Sequence, residues 1–315
     1  MNSLFRALLI VVGALLLLFA AQCAFLAWSL GGVFAPSPEE IAAKRHSARG
    51  DELLDAGQLD AAIAEYRLAH ADGLYPMMTR QIAKLLQDAN RFEEALAEID
   101  REGPAVSWGE YCSLRTECLE RWKGSDAAVA WLLEKDAEEP ERPFFQDTLG
   151  SFHYYGGRPR EAIAPLREAI RRGLAAAPFE FDANDALVYV GEEPLATPGI
   201  APDESLPDLW PAQETLCLVF ERLGDDANAW KEATREVSYH QWLKRERGYY
   251  PEPWPTAGSF TGRMVRARIL LRRGDLDGAA KELDYATAVV SNYSKHAEEL
   301  AAAKAELARR RSGGR

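Results

Sequence analysis

The sequence predicts an all-α fold, a solenoid of helix–turn–helix units behind a single N-terminal transmembrane helix. Two observations carry this. From Ala7 to Phe34 the chain holds no charged residue, and about 20 apolar residues suffice to cross a bilayer. Behind that run, Ala62, Ala95, Ala128 and Ala162 recur at intervals of 33, 33 and 34 residues. That period belongs to paired-helix repeats rather than to one globular core. Each alanine sits in a kindred phrase: Leu59-Asp60-Ala61-Ala62-Ile63, Phe92-Glu93-Glu94-Ala95-Leu96, Ser125-Asp126-Ala127-Ala128-Val129 and Pro159-Arg160-Glu161-Ala162-Ile163.

Taken in order, residues 1–6 form a short flank and 7–34 the membrane anchor, interrupted mainly by Gln22 and Ser29, with Trp28 placed to suit the interface. A cleaved leader fits less well, because its apolar core is usually about 7–15 residues and Pro36 directly follows Ala35 at the best small-residue site. Cys23 does not make a lipidation site, since bulky Gln22 precedes it. Arg6 before the span and Glu39 and Glu40 after it put the large domain on the non-cytoplasmic side by loop charge, although Lys44, Arg45 and Arg49 dilute the bias. A linker, 35–40, leads into the repeats.

Composition narrows the function classes. The 315-residue chain, 47% hydrophobic and 27% charged, builds a substantial body beyond its anchor, and its net charge of −12 argues against docking on nucleic acid or anionic lipid. Only Arg309-Arg310-Arg311 is basic, at the end of a helix where arginines answer the dipole. The four cysteines, Cys23, Cys112, Cys118 and Cys217, form no framework and fit a reducing compartment, against the loop-charge bias. No clustered His/Cys set suggests a metal, and His46, His70, His153, His240 and His296 are scattered. No nucleophile elbow, phosphate-cradling glycine loop or zinc-binding histidine pair is present. No catalytic residue and no cofactor is assigned, and the chain is read as a non-enzyme.

The first unit shows the design. A helix holds Gly50 and Leu53 on one side and ends at Gly57; Asp60 then caps a second helix in which Ala62, Ile63, Tyr66 and Ala69 form an apolar stripe. Small residues let the paired helices approach and Tyr66 fills the space between them. The fourth unit repeats this in Gly150, His153, Gly157, Ala162, Leu166 and Ala169. The second keeps Ala83, Leu86, Ala95 and Ile99, departing at Glu102; the third keeps Leu119, Ala128 and Leu132, departing at Thr116 and Lys135. Four units thus occupy 41–173. Residues 174–210, with Pro178, Pro194, Pro198, Pro202 and Pro207, form either a connection or a decayed repeat with a helix about Asp182 to Val190. In 211–312, Cys217, Phe220, Gly224 and Ala229 mark a fifth unit, and Ala267, Leu270, Gly274, Ala279, Leu283 and Ala286 a sixth. An aromatic-proline insertion covers 239–256, a capping helix follows at about Tyr293 to Arg311, and 313–315 are a tail.

This small-and-large pattern resembles the tetratricopeptide repeat family in its membrane-anchored bacterial form, whose 34-residue unit places small residues near positions 8, 20 and 27 and a bulky one near 24. The resemblance implies that the first helix of each unit lines a groove for an extended peptide. Carried over by position, that groove receives Asp51 and Leu54, then Arg80, Lys84 and Gln87, then Glu117 and Glu120, then Asp147, Ser151, Tyr154 and Tyr155, and finally Met264, Arg268 and Arg272. Tyr154 and Tyr155 are the favoured contacts, with packing of one of them against the next repeat as the rival reading. Arg80 and Lys84, four apart, can hold a carboxylate or simply face solvent. The lysine/asparagine clamp of the co-chaperone branch is missing, since Asp51 stands where it wants asparagine. Tyr239, Trp242, Tyr249, Tyr250 and Trp254 form either a second binding surface or a loop covering repeat edges.

The implied function is a membrane-anchored adaptor or scaffold for a protein or peptide partner in bacterial inner-membrane secretion or envelope assembly, with its soluble domain on the periplasmic side. Two other classes stay open: a self-associating structural membrane component, and an enzyme with an unrecognised site.

Overall fold

The computed structural model describes residues 37–71, 77–103, 108–175, 179–189, 210–247, 258–289 and 294–313. The expected anchor at 7–34 and residues Tyr249, Tyr250 and Trp254 lie outside the described residues. Among the described residues no helix is long and apolar enough to cross a membrane. The chain falls into two compact units, Met1–Val106 and Ser107–Arg315.

The first unit holds two helical pairs, α1 (Pro38–Asp55) with α2 (Leu59–Ala71) and α3 (Met77–Asp88) with α4 (Phe92–Glu102). Helix α1 begins inside the expected linker. Ser37 Oγ accepts from the Glu40 backbone N–H and Glu40 Oε2 accepts from the Ser37 N–H, both at 3.1 Å, with Pro38 in the first turn. This reciprocal cap satisfies two backbone donors that would otherwise lack partners. Asp60 is not a cap: it lies within the first turn of α2 and pairs with Arg91. Tyr66, Met78, Ile82, Leu86 and Ile99 are fully buried as the core.

The second unit continues the design through α5 (Trp108–Lys123), α6 (Ser125–Glu138), α7 (Phe144–Tyr155), α8 (Pro159–Ala175), α9 (Trp210–Arg222), α10 (Asp226–Arg247), α11 (Gly258–Arg273), α12 (Leu276–Val289) and α13 (Ser294–Gly313). The first helices of the pairs, α5, α7, α9 and α11, pack against one another in succession and form one layer. Leu300, Ala303 and Leu307 of α13 close the end of the array over Phe260, Met264 and Leu271.

One register runs through all six described pairs. Gly50/Tyr66, Ala83/Ile99, Thr116/Leu132, Gly150/Leu166, Cys217/Ala233 and Ala267/Leu283 are each sixteen residues apart and buried. A methyl at Gly50 would lie 2.5 Å from the Tyr66 ring, and one at Gly150 would lie 2.4 Å from Leu166. The fifth pair inverts the sizes, with the larger Cys217 on the first helix and alanine on the second. Thr116 fits a small site because its hydroxyl is satisfied internally, donating to the Cys112 carbonyl at 2.6 Å. Lys135 departs harmlessly at the rim, 2.6 Å from Glu138.

Two segments differ from the sequence expectation. Asp182 to Val190 holds no helix through residue 189: β1 (Phe179–Phe181) pairs antiparallel with β2 (Leu187–Tyr189), so the described residues are helical except for one hairpin. Asp182 Oδ1 accepts from the Asn184 and Ala186 N–H groups and closes the turn. The hairpin packs on α8 and α10, and α9 stacks directly on α7 and α8, so the array passes this excursion unbroken and 179–189 are a decoration rather than a repeat. The expected insertion at 239–256 is helix as far as Arg247. Tyr239 and Trp242 are buried, and Trp242 meets the Phe179 ring edge-on at 4.7 Å. They are core, not a second surface, because the hairpin supplies the apolar partner that the helix alone lacks.

Candidate functional site: an inner groove on the second unit

Helices α5 and α7 leave between them a groove of about 380 Å³. Its walls are Ser113, Thr116, Glu117 and Glu120 from α5 and Thr148, Ser151, Phe152 and Tyr155 from α7. These residues share a wall because positions three and four apart lie on one helix face. Glu117 and Ser113 are exposed, and Thr116 forms the buried floor. The Glu120 Oε1 accepts from Ser125 Oγ at 3.0 Å.

The two expected tyrosines divide. Tyr155 is 74% exposed at the groove edge. Tyr154 is half-buried against the core of α8, α9 and α10; the Arg222 guanidinium sits 5.6 Å over its ring and donates to its carbonyl at 3.3 Å. Burial pushes the Tyr154 hydroxyl above its ordinary pKa. The rings touch edge to face at 5.1 Å, so the packed one fixes the exposed one. Tyr154 packs, as the rival reading has it for one of the pair, and Tyr155 is left exposed.

The other expected positions separate by whether they are already engaged. Arg268 makes a bidentate pair with Glu221, at 2.7 and 2.6 Å, and Arg272 reaches Asp226 at 2.6 Å. Both arginines therefore tie α11 to α9 and α10 and are not idle groove cations. Asp147 is half-buried on the first turn of α7 and does not line the groove. In the first unit Asp51 accepts from the buried Tyr66 hydroxyl at 2.7 Å, a structural duty. Arg80 and Lys84 are both exposed on α3.

A second groove, of about 400 Å³, opens between α8 and α10 in the same unit, lined by Arg167, Arg171, Leu174, Lys231, Glu232 and Arg235 among others. No sequence signal pointed to it, because its cations come from two helices more than fifty residues apart. Here the charges are met: Arg171 by Glu168 at 2.6 Å, Arg235 by Asp185 at 2.8 Å, Lys231 by Asp185 at 4.0 Å, while Arg167 lies over the Phe220 ring.

The thiols offer no reactive site. Cys112, Cys118 and Cys217 are buried, and burial pushes Cys112 up to about 12, where no nucleophilic thiolate forms at neutral pH. His153 is buried with its pKa lowered by burial, its Nδ1 3.4 Å from Glu161, as a packed core residue. Among the described residues no three His, Cys, Asp or Glu side chains group to hold a metal.

No family model matches the chain, and no curated protein matches it. Solved structures do. A tetratricopeptide repeat protein from Parabacteroides merdae is 11% identical over 84% of this chain and 99% of its own, with a TM-score of 0.29. The TPR2AB domain of yeast Sti1, solved in complex with pHSP90, is 12% identical over 84% and 98%, with a TM-score of 0.33. The TPR domain of P58(IPK) is 14% identical over 85% and 79%, with a TM-score of 0.22. The assignment rests on the chain's own register: six described pairs keep one sixteen-residue spacing of buried residues, a tetratricopeptide-like arrangement of helical pairs within each unit.

Proposed function

We propose that the protein is an interaction scaffold that holds an extended segment of a protein partner against the inner helices of its second unit. The observation carrying this is the α5/α7 groove, with Tyr155 exposed at its edge and held by the packed Tyr154. A rigid aromatic offers contact area at low entropic cost. The apolar run at 7–34 supports a single-pass membrane anchor, which raises the local concentration of the groove near membrane partners so that modest affinity suffices. Loop charge supports a periplasmic location and a role in secretion or envelope assembly. No residue constellation supports catalysis, and we read the protein as an adaptor.

Tyr155→Ala tests the reading. The fold should be retained, since the ring is exposed, while recovery of partners on the tagged full chain from detergent-solubilised membranes should fall at least several-fold. Undiminished recovery with Tyr155→Ala would remove the groove from the function.

A further inference from the structure

The charge of the α5/α7 groove is one-sided. Among the described residues Glu117 and Glu120 are the carboxylates on its walls, and no lysine or arginine lines it. Glu117 is exposed and makes no side-chain hydrogen bond or ion pair among the described residues, while Glu120 spends one oxygen on Ser125. On α9, the first helix packed next against α7, Arg222 lies over the Tyr154 ring and donates to its carbonyl, and on α11 Arg268 is committed to Glu221 and Arg272 to Asp226. The chain's own basic end is committed too. Arg309 pairs with Glu306, Arg310 donates to the Leu271 carbonyl at 2.6 Å, and Arg311 reaches Asp277 at 2.7 Å. With a net charge of −12, a second copy of the chain is repelled rather than attracted.

We infer that this groove selects a partner segment carrying an arginine, its guanidinium held between the Glu117 and Glu120 carboxylates and laid across the exposed Tyr155 ring. The inference rests on the proposed role of the groove and adds the chemistry of its occupant. A guanidinium suits the site because it is planar, donates in a fork to carboxylates and stacks on aromatic faces, whereas an ammonium is a compact, strongly hydrated point charge without the fork. The volume of about 380 Å³ lies near the lower end for ligand pockets, room for one long side chain and its flanking backbone. Ser113, Thr148 and Ser151 supply hydroxyls along the walls for the backbone of such a segment.

The test uses the purified full chain in detergent and pools of fluorescein-labelled nonapeptides, random except for a central arginine, lysine, alanine or glutamate. Retention of the arginine pool should exceed the alanine and glutamate pools by at least about ten-fold and the lysine pool by less. Glu117→Gln with Glu120→Gln should abolish the preference while leaving the thermal melt unchanged. Arginine and alanine pools retained equally, with Tyr155→Ala weakening both, would overturn the arginine inference and leave the groove reading standing. No pool retained, together with partner recovery indifferent to Tyr155→Ala, would overturn both. Self-association that Glu117→Gln abolishes would also overturn the inference, by placing a second copy in the groove.

Discussion

The two grooves of the second unit are nearly equal in volume, about 380 Å³ between α5 and α7 and about 400 Å³ between α8 and α10, yet opposite in how their charges are used. The outer one is lined by four cations, and Glu168, Asp185 and the Phe220 ring meet them. The inner one carries two carboxylates and one of them, Glu117, meets nothing described. A count of charges would choose the outer groove as a binding site. An account of where each charge is spent chooses the inner one. A paired ion already has its desolvation offset by its partner, so a ligand must displace that partner, whereas an idle carboxylate on an exposed wall offers its full field to what arrives.

If this contrast is right, removing an engaged partner costs stability and removing an idle one does not. The largest effect is expected at Arg172, whose side chain is 9% exposed and which holds Asp136 at 2.5 and 3.1 Å, Glu168 at 2.8 Å and the Arg142 carbonyl at 3.1 Å. Arg172→Ala leaves these acceptors without their donor and should cost about 3 kcal/mol in denaturant unfolding. A loss well under 1 kcal/mol would show that geometry alone does not identify engaged charges.

A pH effect comes next. Glu236 occupies the position that Ala69, Ala169 and Ala286 hold in other pairs, nineteen residues after the first member of the register, and it is fully buried. Its Oε2 accepts from the Cys217 thiol at 3.4 Å, its Oε1 has no hydrogen bond, and Gly262 leaves room for it, since a methyl there would stand 2.7 Å from Oε2. Burial, then the nearby Glu214 charge, hold it protonated well above the ordinary 4.5. Above that ordinary value the unfolded chain releases a proton that the folded chain keeps, so stability falls as pH rises, by up to about 1.4 kcal/mol per pH unit. His240, one turn on, works oppositely. Burial lowers it from 6.5 to about 4, so its contribution is lost as pH falls through that interval. The two slopes oppose each other between about 4.5 and 6.5. Glu236 should therefore contribute a decline in stability as pH rises above its ordinary value, opposed by His240 up to about 6.5, and Glu236→Gln should remove that contribution. A Gln variant with an unchanged pH profile would assign the dependence to other groups.

The smallest effects make the sharpest comparison. Asp185→Asn, which releases Arg235 and Lys231 in the outer groove, should cost about 0.5–1 kcal/mol, the range for a partly exposed pair. Glu117→Gln in the inner groove should change stability by less than about 0.5 kcal/mol. Equal losses in thermal melts would erase the distinction between the grooves.

Much of the fold was legible in the chain. The alanine spacing, Gly50 with Tyr66 and Gly150 with Leu166 announced paired helices, because helix pairing repeats a short-range rule within each unit. The Ser37-Pro38-Glu39-Glu40 capping box was also written there, and would have started the first helix at Pro38 rather than after a linker. The hairpin at Phe179–Tyr189 was not legible. Three-residue strands carry too little alternation to read, and proline density around them signals only that helices stop. At the groove, sequence placed Glu117, Tyr154 and Tyr155 together on successive first helices but could not divide the tyrosines, and it offered Arg268 and Arg272 as groove cations that the fold employs elsewhere.

By itself, then, the sequence determined the repeat, its register and the acidic character of the chain, since each depends on residues within one turn or one helical pair. Only the tertiary structure decided which tyrosine is free, which ions are spent and that a glutamate lies buried at a small-residue position. Those outcomes hang on partners such as Glu221 and Arg268, 47 residues apart, or Asp185 and Arg235, 50 apart. Their meeting depends on how one repeat stacks on the next.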